Sequence, residues 1–481
     1  MNISNSLILS RNISYQILTL IFGKAFGAIA SIILIRYLGA ELQGIYSYIL
    51  TIVALFSFVS DFGLQSLLVR EVKSSGENAG KVLGNAIVLQ IVQVVISIIV
   101  VNLYGIIFEA EPEIRKSLIL ASVAFSLLYL VNPFLASMGS YEKMHLTGLS
   151  NSAASIFNAL IIVIAVMLKM QLNGIIMMLA FSNILNLILT SFLCIKFTVK
   201  PVFKIEKETI MKLLKMSVPF AFIGLFNFVY SRIDVPLLYK MRLAEEVGYY
   251  TAVTKLIEIL NALITAIMVP VYPRMAYIIF TEGKEKISRI ITLTVKYIVF
   301  AAAPCVMMVS ISSSDYISII LGTEFNNSAI ALSIMIWSIF LMSLHIIPTY
   351  ALNAARQTKL ITYVYGINIL INLGLNLIFI PIYGYVATSV ISVLCNVFVA
   401  ASVIFLVKKK IGNFKIIRNL MRIAAGLTAQ AVFMLWFKER MPFIPLNIIS
   451  IFIFCVVVFV SGYFNSEDFK VVKNVFIRKP S

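Results

Sequence analysis

Fourteen stretches of about twenty mostly apolar residues follow one another along the chain, each long enough to cross a bilayer as a helix. They lie near residues 14–36, 45–69, 82–107, 117–138, 149–168, 172–195, 216–239, 248–272, 291–312, 327–350, 360–380, 384–406, 419–437 and 443–463. The runs are continuous rather than alternating, which excludes a transmembrane β-barrel. In hydrocarbon the backbone must satisfy its own polar groups, so each run is expected to be helical. With 60% hydrophobic and only 12% charged residues, the chain is too apolar for a soluble multidomain enzyme. The expected fold is an all-α polytopic membrane protein of about fourteen spans.

The charge excess supports this reading. A formal net charge of +18 on a soluble chain would point to nucleic acid. Here the basic residues sort by side instead. With the N-terminus inside, 28 of the 39 Lys and Arg fall in loops or span ends on that side and eight on the other, the remaining three (Lys24, Arg232 and Lys255) lying deeper within spans. That asymmetry places both termini in the cytoplasm and makes nucleic acid an unneeded partner. The first apolar stretch is long and lacks a small-residue cleavage site, so it is expected to remain as a span. Cys194, Cys305, Cys395 and Cys455 have no metal or redox spacing and are expected to be small buried hydrophobes. His145 and His345 lie far apart, and no cofactor is expected.

The chain also repeats itself. Residues 40–46 (AELQGIY) match residues 244–250 (AEEVGYY) at four of seven positions, at an offset of 204. Each copy joins the first and second spans of a six-span set. Six is even, so both sets enter from the same side, as parallel repeats do in secondary transporters. The expected organisation is an N-terminal lobe at 1–200, a C-terminal lobe at 201–410, and two further spans with a tail at 411–481.

Six of the ionisable residues within spans stand out, since each is costly there unless it meets water, a partner or the bundle interior. They are Lys24, Asp61, Arg232, Asp234, Lys255 and Glu258, all on the first two spans of a repeat. Lys24 is near the midplane with no acid on its own helix, beside the small residues Gly23, Gly27 and Ser31, a row suited to close packing. It reads as a cation facing an anion in a cavity. Lys255 and Glu258, three apart, fit either a cavity or a simple pair on one helix. Arg232 fits a cavity or a side chain reaching the headgroups. Asp61 fits an ion site or a helix-end cap. Asn227, Tyr230 and Asp234 form one polar stripe, and Asn368, Asn372 and Asn376 another; both suit interhelical packing or substrate contact.

These residues resemble a known family. The run 35–48 (IRYLGAELQGIYSY), then Asp61-Phe62-Gly63-Leu64 and Val69-Arg70-Glu71, looks like the N-terminal signature of Wzx-type polysaccharide flippases. Arg232-Ile233-Asp234, Gly248-Tyr249-Tyr250 and Lys255-Leu256-Ile257-Glu258 resemble it too, as does residues 372–381 with Tyr383-Gly384 and Ala387. The wider group is the MATE-like multidrug/oligosaccharidyl-lipid/polysaccharide (MOP) exporter superfamily.

The resemblance implies two six-helix lobes that alternate between inward- and outward-open forms. It implies a non-enzymatic transporter that flips an oligosaccharide repeat unit on undecaprenyl diphosphate across the bacterial inner membrane for O-antigen or capsule, alongside polymerase and chain-length proteins. Lys24, Arg232 and Lys255 would attract the diphosphate, and Asp61, Asp234 or Glu258 would couple an ion or pair a charge. A cation-coupled multidrug antiporter and a lipid II flippase are the alternatives. The acid at Asp61 departs from the basic residue that lipid II flippases tend to carry on the second span.

Overall fold

In the computed structural model, residues 3–281, 284–412 and 417–464 are described, with side chains from Gly23 onward except for positions within 219–231, 267–286 and 417–418. The expected tail beyond residue 464 and the side chains of Asn227 and Tyr230 lie outside the described residues. Among those described, every regular element is a helix, and the chain divides into two compact units, Met1–Thr251 and Ala252–Ser481.

The first unit begins with α1 (Ile3–Asp61), a 59-residue helix that turns at Gly39. Gly39 has φ 70°, a left-handed conformation that glycine adopts at little cost. Then come α2 (Leu64–Ser74), α3 (Ala79–Phe108), α4 (Pro112–Ser126), α5 (Asn132–Ser140), α6 (Met144–Met167), α7 (Leu172–Phe197), α8 (Lys207–Arg232) and α9 (Asp234–Met241). α10 (Ala244–Thr281) gives its first two turns to this unit. The remainder of α10 opens the second unit, followed by α11 (Lys284–Ile311), α12 (Ser313–Ile320), α13 (Ser328–Met335), α14 (Trp337–Ala354), α15 (Thr358–Lys410), α16 (Ile417–Phe437) and α17 (Phe443–Val460). α15 turns at Gly384, with φ 58°.

Eleven described segments are long and apolar enough to cross a membrane. Two of them, Gly23–Ser74 and Thr358–Lys410, run 52 and 53 residues and contain the turns at Gly39 and Gly384, so each crosses twice. Counted so, the described segments supply thirteen crossings, and the expected span at 216–239 falls on α8 and α9, where part of the side chains lie outside the described residues.

The surface is apolar where a soluble protein's would be polar. Ile106, Ile188, Leu370 and Phe452 each remain at least 60% exposed. The interior, by contrast, holds polar side chains: Gln90, Thr190, Asn368 and Gln430 are fully buried. This distribution suits a lipid solvent, in which helices associate through packing and interhelical hydrogen bonds. Gln430 of α16, for example, donates to the Pro304 carbonyl of α11 (3.0 Å) and to Ser450 of α17 (3.3 Å), fixing the last two spans to the second unit. The same solvent corrects the expectation for the cysteines. All four are free thiols, but only Cys194 and Cys395 are buried; Cys305 is exposed and Cys455 half-buried. An apolar thiol belongs on a lipid-facing helix as readily as in a core.

Candidate functional site

The two copies of the repeated motif meet in space. After its turn at Gly39, α1 crosses the first two turns of α10. A Cβ on Gly44 would overlap the carbonyl oxygen of Ala244, and one on Gly248 would overlap that of Ala40. Ser47 donates to Thr251 at 3.0 Å, and Gln43 donates to Ser47 at 2.9 Å. The glycines let the two backbones touch, and the hydroxyls one turn on are satisfied across the contact.

A polar cluster lies at the same end of the unit. Glu109, 4% exposed, follows the last residue of α3 and pairs with Lys240 of α9 at 2.7 Å. The Tyr48 hydroxyl also donates to Glu109 and lies 3.0 Å from that of Tyr104. The Tyr48 ring stacks on Tyr239 at 3.9 Å with an 8° tilt. Lys240 donates as well to the Phe108 carbonyl, at 3.0 Å. The sequence reading missed this cluster, because Glu109 and Lys240 look like ordinary span-end charges 131 residues apart. The one signal available was an acid directly after an apolar span on the side expected to be poor in counter-charge.

Asp234 is the first residue of α9 and is 9% exposed. It accepts from the Tyr250 hydroxyl and, at 3.0 Å, from the Val235 amide, while the Arg232 charge acts on the same carboxylate. A carboxylate at a helix N-terminus also faces the positive end of the backbone dipole. Asp234 is thus engaged within the first unit, with Tyr250 as a partner the sequence did not indicate.

Asp61 ends α1. It accepts from Asn132 at 3.0 Å, and the backbone amides of Gly63 and Gln65, at the start of α2, act on the same carboxylate. Both roles open to it, the ion site and the helix-end cap, fit this arrangement.

Lys24 is exposed, on the first arm of α1. Its neighbour Gly23 packs on α6, where an added Cβ would come within 3.2 Å of the Ser155 hydroxyl. The close-packed row ends there, since Gly27 has no heavy atom within 4 Å of such a Cβ. The Ser31 hydroxyl turns back onto the Gly27 carbonyl, at 2.7 Å, rather than onto a neighbouring helix.

In the second unit Lys255 and Glu258 pair at 3.4 Å on one face of α10, with 42% and 37% of their side chains exposed. They are paired without being sealed off, so both side chains stay accessible beside the local pair. On α15, Asn376 donates to the carbonyl and side-chain oxygens of Asn372, at 2.9 and 3.1 Å, and Asn372 lies 3.7 Å from Cys395 across the hairpin. This part of the stripe joins the two arms of α15.

Comparisons with known proteins agree with this architecture. The family described as "Polysaccharide biosynthesis protein" matches residues 9–279. A curated relative from Haloferax volcanii, "Probable low-salt glycan biosynthesis flippase Agl15", is 22% identical over 394 residues, 78% of each chain. The lipid II flippase MurJ in an inward closed conformation superposes with a TM-score of 0.77 at 15% identity, covering 96% of this chain and 99% of that one. The Vibrio cholerae MATE transporter VcmN superposes at 0.58 and 11% identity, covering 84% and 98%. The family match spans more than half of the chain, so this multi-pass membrane protein belongs to the polysaccharide biosynthesis protein family.

Proposed function

We propose that the protein flips an undecaprenyl diphosphate-linked oligosaccharide from the cytoplasmic to the outer leaflet of the bacterial plasma membrane, for a surface polysaccharide such as O-antigen or capsule. The observation that carries this reading is Lys24, an exposed cation in an apolar span. A lysine at that depth costs about 3 kcal/mol or more unless water or an anion meets it. Within a family of polysaccharide biosynthesis, the fitting anion is the diphosphate of a glycan carrier.

In this mechanism residues 1–200 and 201–410 are lobes that alternate, and both termini are cytoplasmic. Lys24, Arg232 and Lys255 attract the diphosphate. Asp61, Asp234 and Glu258 are the candidates for ion coupling or charge pairing. Stripping a sugar's hydroxyls of hydrogen bonds in hydrocarbon costs several kcal/mol for each. A hydrated path removes most of that cost, while the prenyl tail stays in lipid. Polymerase and chain-length proteins would act on the delivered unit.

Lipid II as cargo is the second reading, supported by the likeness to MurJ along nearly the whole chain. Deleting the gene and analysing carrier-linked glycans by mass spectrometry tests both. An accumulating cytoplasmic lipid diphosphate oligosaccharide with loss of a surface polymer supports the first reading. Accumulating lipid II supports the second. Unchanged glycans with new sensitivity to cationic drugs would overturn both in favour of an antiporter.

A further inference from the structure

The segment 199–206, between α7 and α8, has no regular secondary structure and turns at Phe203, where the Lys204 amide donates to the Val202 carbonyl at 2.9 Å, but it is held tightly. The Val202 amide donates to the Gly80 carbonyl at 2.8 Å. Asn85, 1% exposed, donates to the Lys204 carbonyl and accepts from the Glu206 amide, both at 2.8 Å. Gly84 admits the strap, since a Cβ there would overlap the Val202 carbonyl oxygen. So fixed, the strap packs Val199 against the core of the first unit and leaves its later side chains outside. Phe203 and Ile205 remain 65% and 70% exposed, and Lys200 and Lys204 point outward beside them. The first turns of α8 continue the pattern. Leu213 and Ser217 are buried against the first unit, while Lys207, Met211, Lys212 and Lys215 line an open groove of about 590 Å³ on the other face.

We propose that this strap and the start of α8 bind anionic phospholipid headgroups at the membrane interface. Phe203 sits six residues past the end of the spanning helix α7, so chain connectivity alone keeps it at the bilayer boundary. Large apolar side chains set among lysines are the composition that inserts at an interface and attracts anionic lipid. Five lysines stand against Glu206 and Glu208, and Glu206 is already engaged by the Thr209 hydroxyl at 3.1 Å. The surface is independent of the cargo, so it stands or falls apart from the proposed function.

The full chain with Phe203→Trp, and with Trp337 and Trp436 changed to Phe, would be placed in nanodiscs of acyl-brominated phosphatidylglycerol or phosphatidylcholine. The expected result is quenching at least twofold stronger in phosphatidylglycerol, with the difference abolished by K200Q/K204Q/K207Q. Position 203 is exposed, and elution profile together with melting temperature verifies that each variant is folded. Absent quenching, or equal quenching in the two lipids, overturns the proposal. As a second readout, native mass spectrometry should detect phosphatidylglycerol retained by the parent chain and lost from the lysine variant; equal retention would also overturn it.

Discussion

Gly44 and Gly248 hold equivalent places in two copies of one short motif, and each closes on the backbone of the other copy: Gly44 against Ala244, Gly248 against Ala40. The contact is reciprocal, as a local two-fold relation requires. The offset of 204 seen in the sequence returns as the separation of the hydrogen-bonded pair Ser47 and Thr251. Neither glycine can accept a Cβ without moving a carbonyl group, so Gly44→Ala and Gly248→Ala should each destabilise the detergent-solubilised protein by about 1–3 kcal/mol, through overpacking. Once one substitution has separated the helices, the second costs less. Thermal unfolding of the double variant should therefore show clearly less than the sum of the single losses.

The same crossing supports a covalent test. Ser47 and Thr251 place their hydroxyl oxygens 3.0 Å apart. Ser47→Cys with Thr251→Cys should crosslink rapidly in membranes under mild oxidation, and the crosslinked protein should stop transporting until a reductant is added. Transport unaffected by a complete crosslink would mean that this contact persists throughout the cycle.

The Glu109–Lys240 pair should respond unequally to loss of its two members. Glu109 is buried at 4% side-chain exposure, whereas Lys240 retains 40%. Removing the lysine strands a buried carboxylate, for which breaking a buried pair sets an upper scale of about 3–5 kcal/mol. Removing the acid leaves a lysine that water can reach. Lys240→Met should therefore lower the melting temperature more than Glu109→Gln does, measured side by side in the same detergent.

Much of the fold was legible in the sequence because each span writes its own signal locally. The repeat at 40–46 and 244–250 even marked the point where two helices touch, since a backbone crossing requires small residues at fixed spacing. What escaped was non-local. Glu109 and Lys240 each look like a solvated helix end until the chain brings them together. Asn85 and Gly84 sit inside an apolar run, with nothing nearby to announce the strap they clamp. Asp61 was ambiguous for a related reason: a carboxylate followed by Phe-Gly reads equally as a site or a cap, and the helix break at Phe62 and Gly63, where φ is 42° and 72°, accommodates either.

The proposed cationic path makes Lys24 and Lys255 unequal as well. Lys255 has Glu258 at 3.4 Å, so part of its charge is already balanced. Lys24→Ala should therefore reduce flipping of the lipid-linked glycan more than Lys255→Ala does, by roughly tenfold or more if one charge-assisted contact of 1.5–3 kcal/mol is lost. Lys24→Arg should restore most of it. Surface expression of all three variants should remain unchanged, and full transport by the double alanine variant would remove the anion-binding role altogether.

Asp61 separates structure from coupling. Asn132 donates to it, the Gly63 and Gln65 amides act on the same carboxylate, and an asparagine in its place keeps one acceptor oxygen for the amides at the start of α2 while losing the charge. If the residue is a cap, Asp61→Asn should transport nearly as well as the parent chain, whereas Asp61→Ala should lose about 1 kcal/mol of stability, the usual cost of an empty helix N-terminus. If it binds or releases an ion during transport, Asp61→Asn should be as inactive as Asp61→Ala even though it is as stable as the parent. Running the same pair of substitutions at Asp234, where the Tyr250 hydroxyl and the Val235 amide converge on a buried carboxylate, provides the contrast: Asp234→Asn should fold and fail to transport if the coupling charge resides there.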